Sequence, residues 1–485
     1  MYSDQQRGVA LQHQTLLQLV KKAAETSFGK EHRLAEVHTH ADLIRQVPIR
    51  DYEGLKPWFE RVKNGEAHVL WPGKPLYLAK TSGTTSGTKY IPITADSMPN
   101  HIKSARNALL AYIHETGNTG FINGKMIFLQ GSPVLQEIHG IQVGRLSGLV
   151  YHHVPGYLLR NRLPSYETNC IEDWEEKVAT IARETVQEPM SLISGIPPWV
   201  LMYFEKLKEI SGKAYIKDLF PTFSLFVYGG VNYEPYRSKM EEMIGKRIDS
   251  VETYPASEGF IAFQDSQKSP GLLLNVNSGI YFEFIPVSEY YDPSPRRLSL
   301  ADVDTTTNYA LVLHSNAGLW GYSIGDTVRF VSLNPYRIIV TGRIKHFISA
   351  FGEHVIGEEV ELAMQQAADE AGIHIIEFTV APQVTPPQGG LPYHEWLVEF
   401  EKQPENMDDF AVRLDHFLQQ KNIYYRDLIT GNVLTTLHIT PIIQGGFRQY
   451  MKEKGKLGGQ NKVPRLSNDR IIADELSRWS AVNKV

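Results

Sequence analysis

One stretch constrains the fold of this chain more than any other. Lys80-Thr81-Ser82-Gly83-Thr84-Thr85-Ser86-Gly87-Thr88-Lys89 is rich in hydroxyls and glycines and runs straight into the strand-like Tyr90-Ile91-Pro92-Ile93. Gly83 and Gly87 let the backbone enter φ > 0 and come close to a ligand, so that successive N–H groups converge on an anion. The hydroxyls of Ser82, Thr84, Thr85 and Ser86 supply donors for polyphosphate oxygens, and Lys89 supplies charge. The spacing is not that of the common nucleoside triphosphatase loop, G-x-x-x-x-G-K-[ST], because three residues separate the glycines and the lysine falls one place late. A surface linker shares this composition, but linkers seldom lead into such a strand.

At 485 residues the chain exceeds one ordinary core, and two or three domains are expected. A net charge of −5 with scattered basic residues argues against a nucleic-acid partner. The single cysteine, Cys170, excludes an intrachain disulfide framework and a cysteine-rich metal site, and suits a reducing cytosol. Met1 to Arg7 lacks a signal-peptide pattern, and no apolar run approaches the ~20 residues of a membrane helix, so a cytoplasmic protein without membrane attachment is expected. The sequence does not fix the oligomeric state.

The chain opens with helical spacing over Leu11–Thr26 and Ala41–Gln46, continuing at Trp58–Val62. After the glycine-rich stretch, Thr94 and Asp96 are placed to cap a helix reaching Glu115, giving a loop followed by a helix. Strand-like runs follow at Lys125–Gln130, Ser191–Ile193 and Phe223–Tyr228, with helical patterns at Ile171–Gln187 and Pro198–Ile210 between them. Strands alternating with helices predict an α/β sheet with loops gathered at the strand ends. The texture turns β-rich over Tyr281–Pro286, Tyr309–His314, Thr327–Leu333 and Tyr336–Val340, which reads as a β-subdomain. Beyond Gly342, helices at Glu358–Ala371 and Met407–Lys421 with strands at Ile373–Ala381, Glu395–Glu401 and Leu434–Ile442 describe a small α+β domain. The expected division is residues 1–343 and 344–485.

Further clusters carry candidate chemistry. In Tyr254-Pro255-Ala256-Ser257-Glu258-Gly259 a carboxylate at a strand end fits magnesium held against phosphate oxygens, and it equally fits a solvated surface glutamate. In Gly321-Tyr322-Ser323-Ile324-Gly325-Asp326-Thr327 the aspartate fits a ribose acceptor or ordinary turn chemistry. Gly229 and Gly230, in Tyr228-Gly229-Gly230-Val231-Asn232, leave room for a flat base. Thr341-Gly342-Arg343-Ile344-Lys345 lies at the domain junction. The basic, glycine-rich tail from Lys452 to Arg465 reads either as solvated chain or as the carrier of a lysine that stabilises a leaving pyrophosphate.

Taken in order, these clusters resemble the adenylate-forming superfamily of acyl-coenzyme A ligases, luciferases and peptide-synthetase adenylation domains. More narrowly they resemble the Gretchen Hagen family of auxin-responsive acyl acid amido synthetases. Its three nucleotide motifs have counterparts in T-S-G-T-T-S-G-T-K (Thr81–Lys89), Y-P-A-S-E (Tyr254–Glu258) and Y-S-I-G-D (Tyr322–Asp326). The tail Gln460-Asn461-Lys462-Val463-Pro464-Arg465, the opening T-S-F-G-K (Thr26–Lys30) and V-P-I-R-D-Y (Val47–Tyr52) are similar to the family as well. Pro255 stands where alanine is usual, Ser323 where arginine is usual, and Lys345 where the wider superfamily often has a hinge aspartate.

The resemblance implies a large N-terminal adenylate-forming domain and a small mobile C-terminal domain. It implies ATP and Mg2+ as cofactors, a carboxylic acid activated as acyl-AMP with pyrophosphate release, and transfer of the acyl group to an amine, typically of an amino acid. Ser82, Thr84, Thr85, Ser86 and Lys89 would cradle phosphates, with Ser257 beside the nucleotide. Glu258 would hold magnesium, Tyr254 with Gly229 and Gly230 would flank adenine, Asp326 would bind ribose, and Arg343 and Lys462 would complete catalysis. Leu149, Val150, Tyr151, Val154 and Tyr157 are candidate walls for the acid. Transfer to coenzyme A and non-catalytic nucleotide binding are the competing readings.

Overall fold

The computed structural model describes residues 1–82, 88–154, 156, 160–230, 233–344, 347–348, 350, 353, 355–431, 433–457 and 462–481. Thr84, Thr85, Ser86 and Tyr157 lie outside the described residues. The chain forms two compact units, Met1–Val231 with Met243–Ile339, and Asn232–Glu242 with Val340–Val485. The second unit therefore begins a few residues before the expected cut at Arg343 and takes in a segment from the middle of the chain. The physical reason lies in the side chains of that segment. Tyr236 accepts a 2.8 Å hydrogen bond from Arg465, and Lys239 pairs with Glu401.

The strands in chain order are β1 (Tyr77–Ser82), β2 (Thr88–Ile93), β3 (Lys125–Phe128), β4 (Gln136–Ile138), β5 (Ile141–Gly144), β6 (Arg162–Leu163) and β7 (Met190–Ser194). They continue as β8 (Leu225–Gly229), β9 (Asp249–Ala256), β10 (Gly259–Phe263), β11 (Leu272–Leu274), β12 (Ile280–Pro286), β13 (Asn308–Ser315), β14 (Leu319–Leu333) and β15 (Tyr336–Arg343). Two sheets organise the larger unit. One has the order β2-β1-β5-β4, and the other runs β12-β13-β14-β15-β11-β10-β9-β8-β7-β3-β6. The β6-β3-β7-β8-β9 portion of the long sheet is parallel, and β9 onward toward β12 is antiparallel where pairs are described.

The glycine and hydroxyl run is flanked by two paired strands. β1 and β2 pair antiparallel, Thr81 opposite Lys89 and Ser82 opposite Thr88. The expected strand over Tyr90–Ile93 is the C-terminal part of β2, and Tyr77–Ser82 before the run pairs with it as β1. The helix comes later, at Met98–Thr116, with proline in its first turn and Gly117 at φ +69 ending it. Thr94 does not cap that helix directly. Its hydroxyl accepts from the Ser97 amide at 3.1 Å and donates to the Asn316 carbonyl at 2.6 Å.

The opening helix Gly8–Ala23 buries Leu11, Leu16, Leu19, Val20 and Ala23 along one stripe. Its buried Gln12 donates to the Val276 and Ile280 carbonyls and accepts from the Phe282 amide, each at 2.9 Å, which staples the helix to β12. The same opening region reaches β14. The Arg50 amide donates to the Gly321 carbonyl and the Ser323 amide donates to the Arg50 carbonyl, both at 2.8 Å. Only glycine fits at 321: φ is +57, and a Cβ there would stand 2.4 Å from the Pro48 carbonyl oxygen. Asp326 was expected at the entry to a strand, yet β14 is continuous through it. Between the pairs Val312–Ser323 and Ala310–Thr327 one residue of β13, Leu311, faces three of β14, so a bulge with two extra residues sits over Ile324-Gly325-Asp326.

The second unit contains the short strands β16 (Phe347–Ile348) and β17 (Val355–Ile356) and a sheet of β18 (Ile375–Gln383), β19 (Tyr393–Phe400) and β20 (His438–Ile442). Helices Gly357–Ala371 and Met407–Lys421 share one core with this sheet, around Trp396, Phe378, Leu414 and Met364.

Candidate active site

The ends of three sequence motifs meet in the larger unit. Tyr254 on β9 donates a hydrogen bond of 2.6 Å to Asp326 Oδ2 on β14, and Tyr322 on β14 donates one of 3.1 Å to Glu258 Oε1 between β9 and β10. Two tyrosines thus cross between the same two segments in opposite directions. Lys89, on β2, acts electrostatically on Glu258, and its ammonium lies 5.3 Å from the centre of the Tyr52 ring. Tyr52 in turn accepts from the Tyr90 amide at 3.0 Å and stacks on Phe59, which meets Tyr322 edge to face at 6.3 Å.

The electrostatics of Glu258 follow from this packing. Burial raises its carboxyl above the ordinary carboxylate value and the charge of Asp326 adds to the rise, while its own backbone amide, Lys89 and the Tyr322 hydroxyl oppose it. Burial, followed by the neighbouring Glu258, pushes the Tyr322 phenol well above its usual value. Two carboxylates within electrostatic reach of each other, one of them desolvated, attract a hard cation. Among the described residues no group of three or more histidine, cysteine or acidic side chains is placed to hold a metal. That donor set fits magnesium, which takes one or two carboxylates and completes its shell with water and substrate oxygens.

The remaining candidates fall as follows. Ser82 ends β1 beside the loop, and Ser257 is buried between β9 and β10. Gly229 is needed by the sheet itself, because a Cβ would stand 2.4 Å from the Thr253 carbonyl oxygen; Gly230 follows at φ +75. Leu149 is fully buried in the main hydrophobic core and Val150 packs against that core, so these two face inward rather than lining an open wall. Tyr151 lies under the Arg162 guanidinium, 3.4 Å from ring centre to Cζ, and Val154 is half-buried. Arg343 and Lys462 belong to the second unit, where Arg343 ends β15 and Lys462 is exposed. Arg465, three residues beyond Lys462, is anchored by Glu361 at 3.0 Å, by Glu377, and by Tyr236. The end of the tail is therefore fixed within its unit.

Sequence reasoning assigned no role to Tyr322, Tyr52 or Gly321, although each stands inside a quoted motif. Ser323, the departure from the arginine of the family pattern, is buried and its hydroxyl accepts from Tyr290 at 2.8 Å.

Comparison with known proteins finds matches over most of the chain. Family models match residues 1–163 as the GH3 family N-terminal domain, 273–343 as the GH3 family central domain, and 358–471 as the GH3 family C-terminal domain. The chain is 23% identical to a jasmonoyl–L-amino acid synthetase of Nicotiana attenuata, over 86% of this chain and 84% of that one. It is 22% identical to an indole-3-acetic acid-amido synthetase of Arabidopsis thaliana, over 97% and 93%. Among solved structures, an acyl acid amido synthetase in complex with 2,4-DB superposes with a TM-score of 0.79 at 15% identity, covering 97% of this chain and 93% of that one. A 2-hydroxyisobutyryl-CoA ligase in the postadenylation state gives 0.59 at 14% identity, covering 96% and 90%.

Proposed function

The chain belongs to the GH3 family, and on that premise we propose that it is an ATP-dependent acyl acid amido synthetase. The observation that carries this reading is the convergence of Lys89, Tyr254, Glu258, Tyr322 and Asp326, drawn from three separated motifs, into one hydrogen-bonded and electrostatically coupled group. In the first half-reaction a carboxylate oxygen of the acid attacks the α-phosphorus of ATP, forming an acyl-adenylate as pyrophosphate leaves. In the second, an amine attacks the acyl carbon, the C–N bond forms, AMP departs with the electrons of the broken C–O bond, and the amine loses a proton.

Carboxylate is a weak nucleophile and water competes for the adenylate, so the protein's task is to position, neutralise and desolvate. Lys89, with the hydroxyls of Ser82, Thr84, Thr85 and Ser86, is proposed to hold phosphate oxygens. Asp326, oriented by the Tyr254 hydroxyl, would accept from ribose, and Tyr254 with Gly229 and Gly230 would border the base beside Ser257. Glu258, oriented by Tyr322, would hold Mg2+, which when bound neutralises phosphate charge. Arg343 and Lys462 are proposed as phosphate-binding residues on the strength of their motifs. None of these groups forms a covalent intermediate, and electrostatic positioning is the main catalytic effect.

The test is acid-dependent exchange of pyrophosphate into ATP across a panel of carboxylic acids, followed by product analysis with amino acids and with coenzyme A. Exchange with at least one acid and an amide product are expected. A thioester in place of the amide would move the protein to the acyl-coenzyme A ligases, and no exchange with any acid would leave nucleotide binding alone.

A further inference from the structure

Arg145 has a setting that none of the motifs explains. It follows β5 directly, and β5 runs parallel to β1 with Ala79 opposite Gly144, so Arg145 stands beside Lys80 where β1 leads toward the hydroxyl and glycine loop. On its other side the Arg145 side chain lies across Gly131, just past the C-terminal end of β3. A Cβ at Gly131 would stand 2.9 Å from Arg145 Cδ and 3.6 Å from Ser147 Oγ. Ligands in α/β folds collect at the C-terminal ends of parallel strands, and β3 is such a strand.

Arg145 is solvent-exposed and has no carboxylate partner among the described residues; desolvation of its inner part lowers its pKa, with no acidic group raising it. A second basic group lies within electrostatic reach of it. Buried Lys177 donates to the Asn169 carbonyl at 2.6 Å and has its pKa lowered to about 8, first by burial and further by Arg145, with Cys170 the opposing influence. Ser147 Oγ, which shares the contact at Gly131 with Arg145, and Nε2 of Gln130, the residue before Gly131, are buried polar atoms without a hydrogen-bond partner. Buried donors are ordinarily satisfied, so an amide and a hydroxyl left open near an exposed guanidinium without a carboxylate partner describe a receptor for an oxyanion.

We propose that Arg145, with Gln130 and Ser147, forms a carboxylate-binding subsite. The inference rests on the amide-forming reading above and extends it to how a substrate is held. Two carboxylates take part in that reaction. The acid's own loses its charge on adenylation, whereas that of an acceptor amino acid stays ionised from binding to product, so a persistent cation suits the acceptor.

Arg145→Gln and Arg145→Lys separate the possibilities. Pyrophosphate exchange is measured first, with KM for ATP and for the acid. Amide formation is then measured with amino acids and with the corresponding amino-acid amides, which lack the carboxylate. For Arg145→Gln we expect KM for the amino acid to rise on the order of 10- to 100-fold, as for loss of a charge-assisted hydrogen bond. Exchange kinetics and KM for the amino-acid amide should stay within a few-fold of wild type, and Arg145→Lys should recover part of the loss. Unchanged exchange also shows that the variant is folded. A rise confined to KM for the acid would keep the subsite and give it to the other carboxylate. A rise in KM for ATP, equal losses for amino acid and amide, or no change in any KM would overturn the proposal. Thermal shifts induced by the amino-acid panel in wild type and Arg145→Gln read carboxylate binding without turnover. An Arg145-dependent shift in a protein with no exchange would therefore refute the ligase reading and not the subsite.

Discussion

Glu283 offers a stringent test of how the site is held. Its carboxylate is fully buried on β12 and receives His314 Nε2 at 2.7 Å, His40 Nε2 at 2.7 Å and the Arg297 guanidinium at 2.5 Å. Burial alone would raise its pKa, but His314, His40 and Arg297 together hold it well below the ordinary 4.5. The Gly321 amide donates to His314 Nδ1 at 3.2 Å, which fixes the ring as the neutral Nε2–H tautomer and ties Glu283 to the residue preceding Tyr322. In Glu283→Gln the new amide N–H groups would face the donors of Arg297, His40 or His314. His314 has no compensating tautomer, because its other nitrogen is committed to Gly321.

Arg297 keeps a 2.6 Å bond to the Val47 carbonyl but loses its counter-charge in a buried position. Breaking such a pair costs about 3–5 kcal/mol, which for a unit of this size lowers Tm by on the order of 10 °C. The pH dependence follows from the direction of the shifts. Glu283 is depressed in the folded protein, so its stabilisation is complete above pH 4.5 and is lost as pH falls through the lower folded value. His314, depressed below 6.5 chiefly by burial, adds a component that begins to fade as pH drops below 6.5. Thermal unfolding of wild type and variant from pH 7.5 to about 2.5, with hydrogen exchange at the Gly321 amide, reads both effects. A variant within ~1 kcal/mol of wild type at pH 7, with Gly321 equally protected, would refute this account of the network.

Three further outcomes are expected. Tyr322→Phe removes a hydrogen bond that lowers the Glu258 pKa, so the acidic limb of the exchange pH profile should move upward and KM for Mg-ATP should rise by about tenfold, as for one bond to a charged group; an unmoved limb would exclude Glu258 as the group titrating there. Gly321→Ala should lower Tm, since strain at φ +57 costs ~1–2 kcal/mol before the clash with Pro48 is counted; equal or greater stability would show that the Pro48–Gly321 approach is not required. Arg465→Met should destabilise the second unit by about 3–5 kcal/mol, because Glu361 and Glu377 lose a shared buried cation; limited proteolysis would reveal it, and wild-type resistance would contradict it.

Local order was legible in the sequence where periodicity and turn chemistry agree. Met407–Lys421 matches its predicted helix end to end, and Pro197–Ser211 and Gly357–Ala371 differ from expectation by a residue or so at their ends. The strand after the glycine-rich run was legible from Tyr90–Ile93, whereas its partner β1, Tyr77–Ser82, was not read from the sequence. Lateral order was not legible at all. Nothing local distinguishes an eleven-stranded sheet from two smaller ones, and Glu283 reads as an ordinary strand residue until His314, His40 and Arg297 are seen around it. Tyr236 and Lys239 fall within the expected N-terminal domain, yet their partners Arg465 and Glu401 lie more than 150 residues away in the chain.

The same distinction explains why the motif from Tyr322 to Asp326 can differ at its second position. Side chains alternate across a strand, so Tyr322 and Ser323 point to opposite faces, one to Glu258 and the other to Tyr290. The bulge that follows adds two residues, and an even number preserves the alternation, so Asp326 returns to the face of Tyr322 and meets Tyr254. Tyr322, the bulge and Asp326 are therefore constrained as one geometric unit, whereas position 323 answers to Tyr290. A single residue added or removed at Ile324-Gly325 would reverse the alternation and carry Asp326 away from Tyr254 with every neighbour still present. Identity at Tyr322 and Asp326, together with the even spacing between them, is what the candidate nucleotide site requires of this strand.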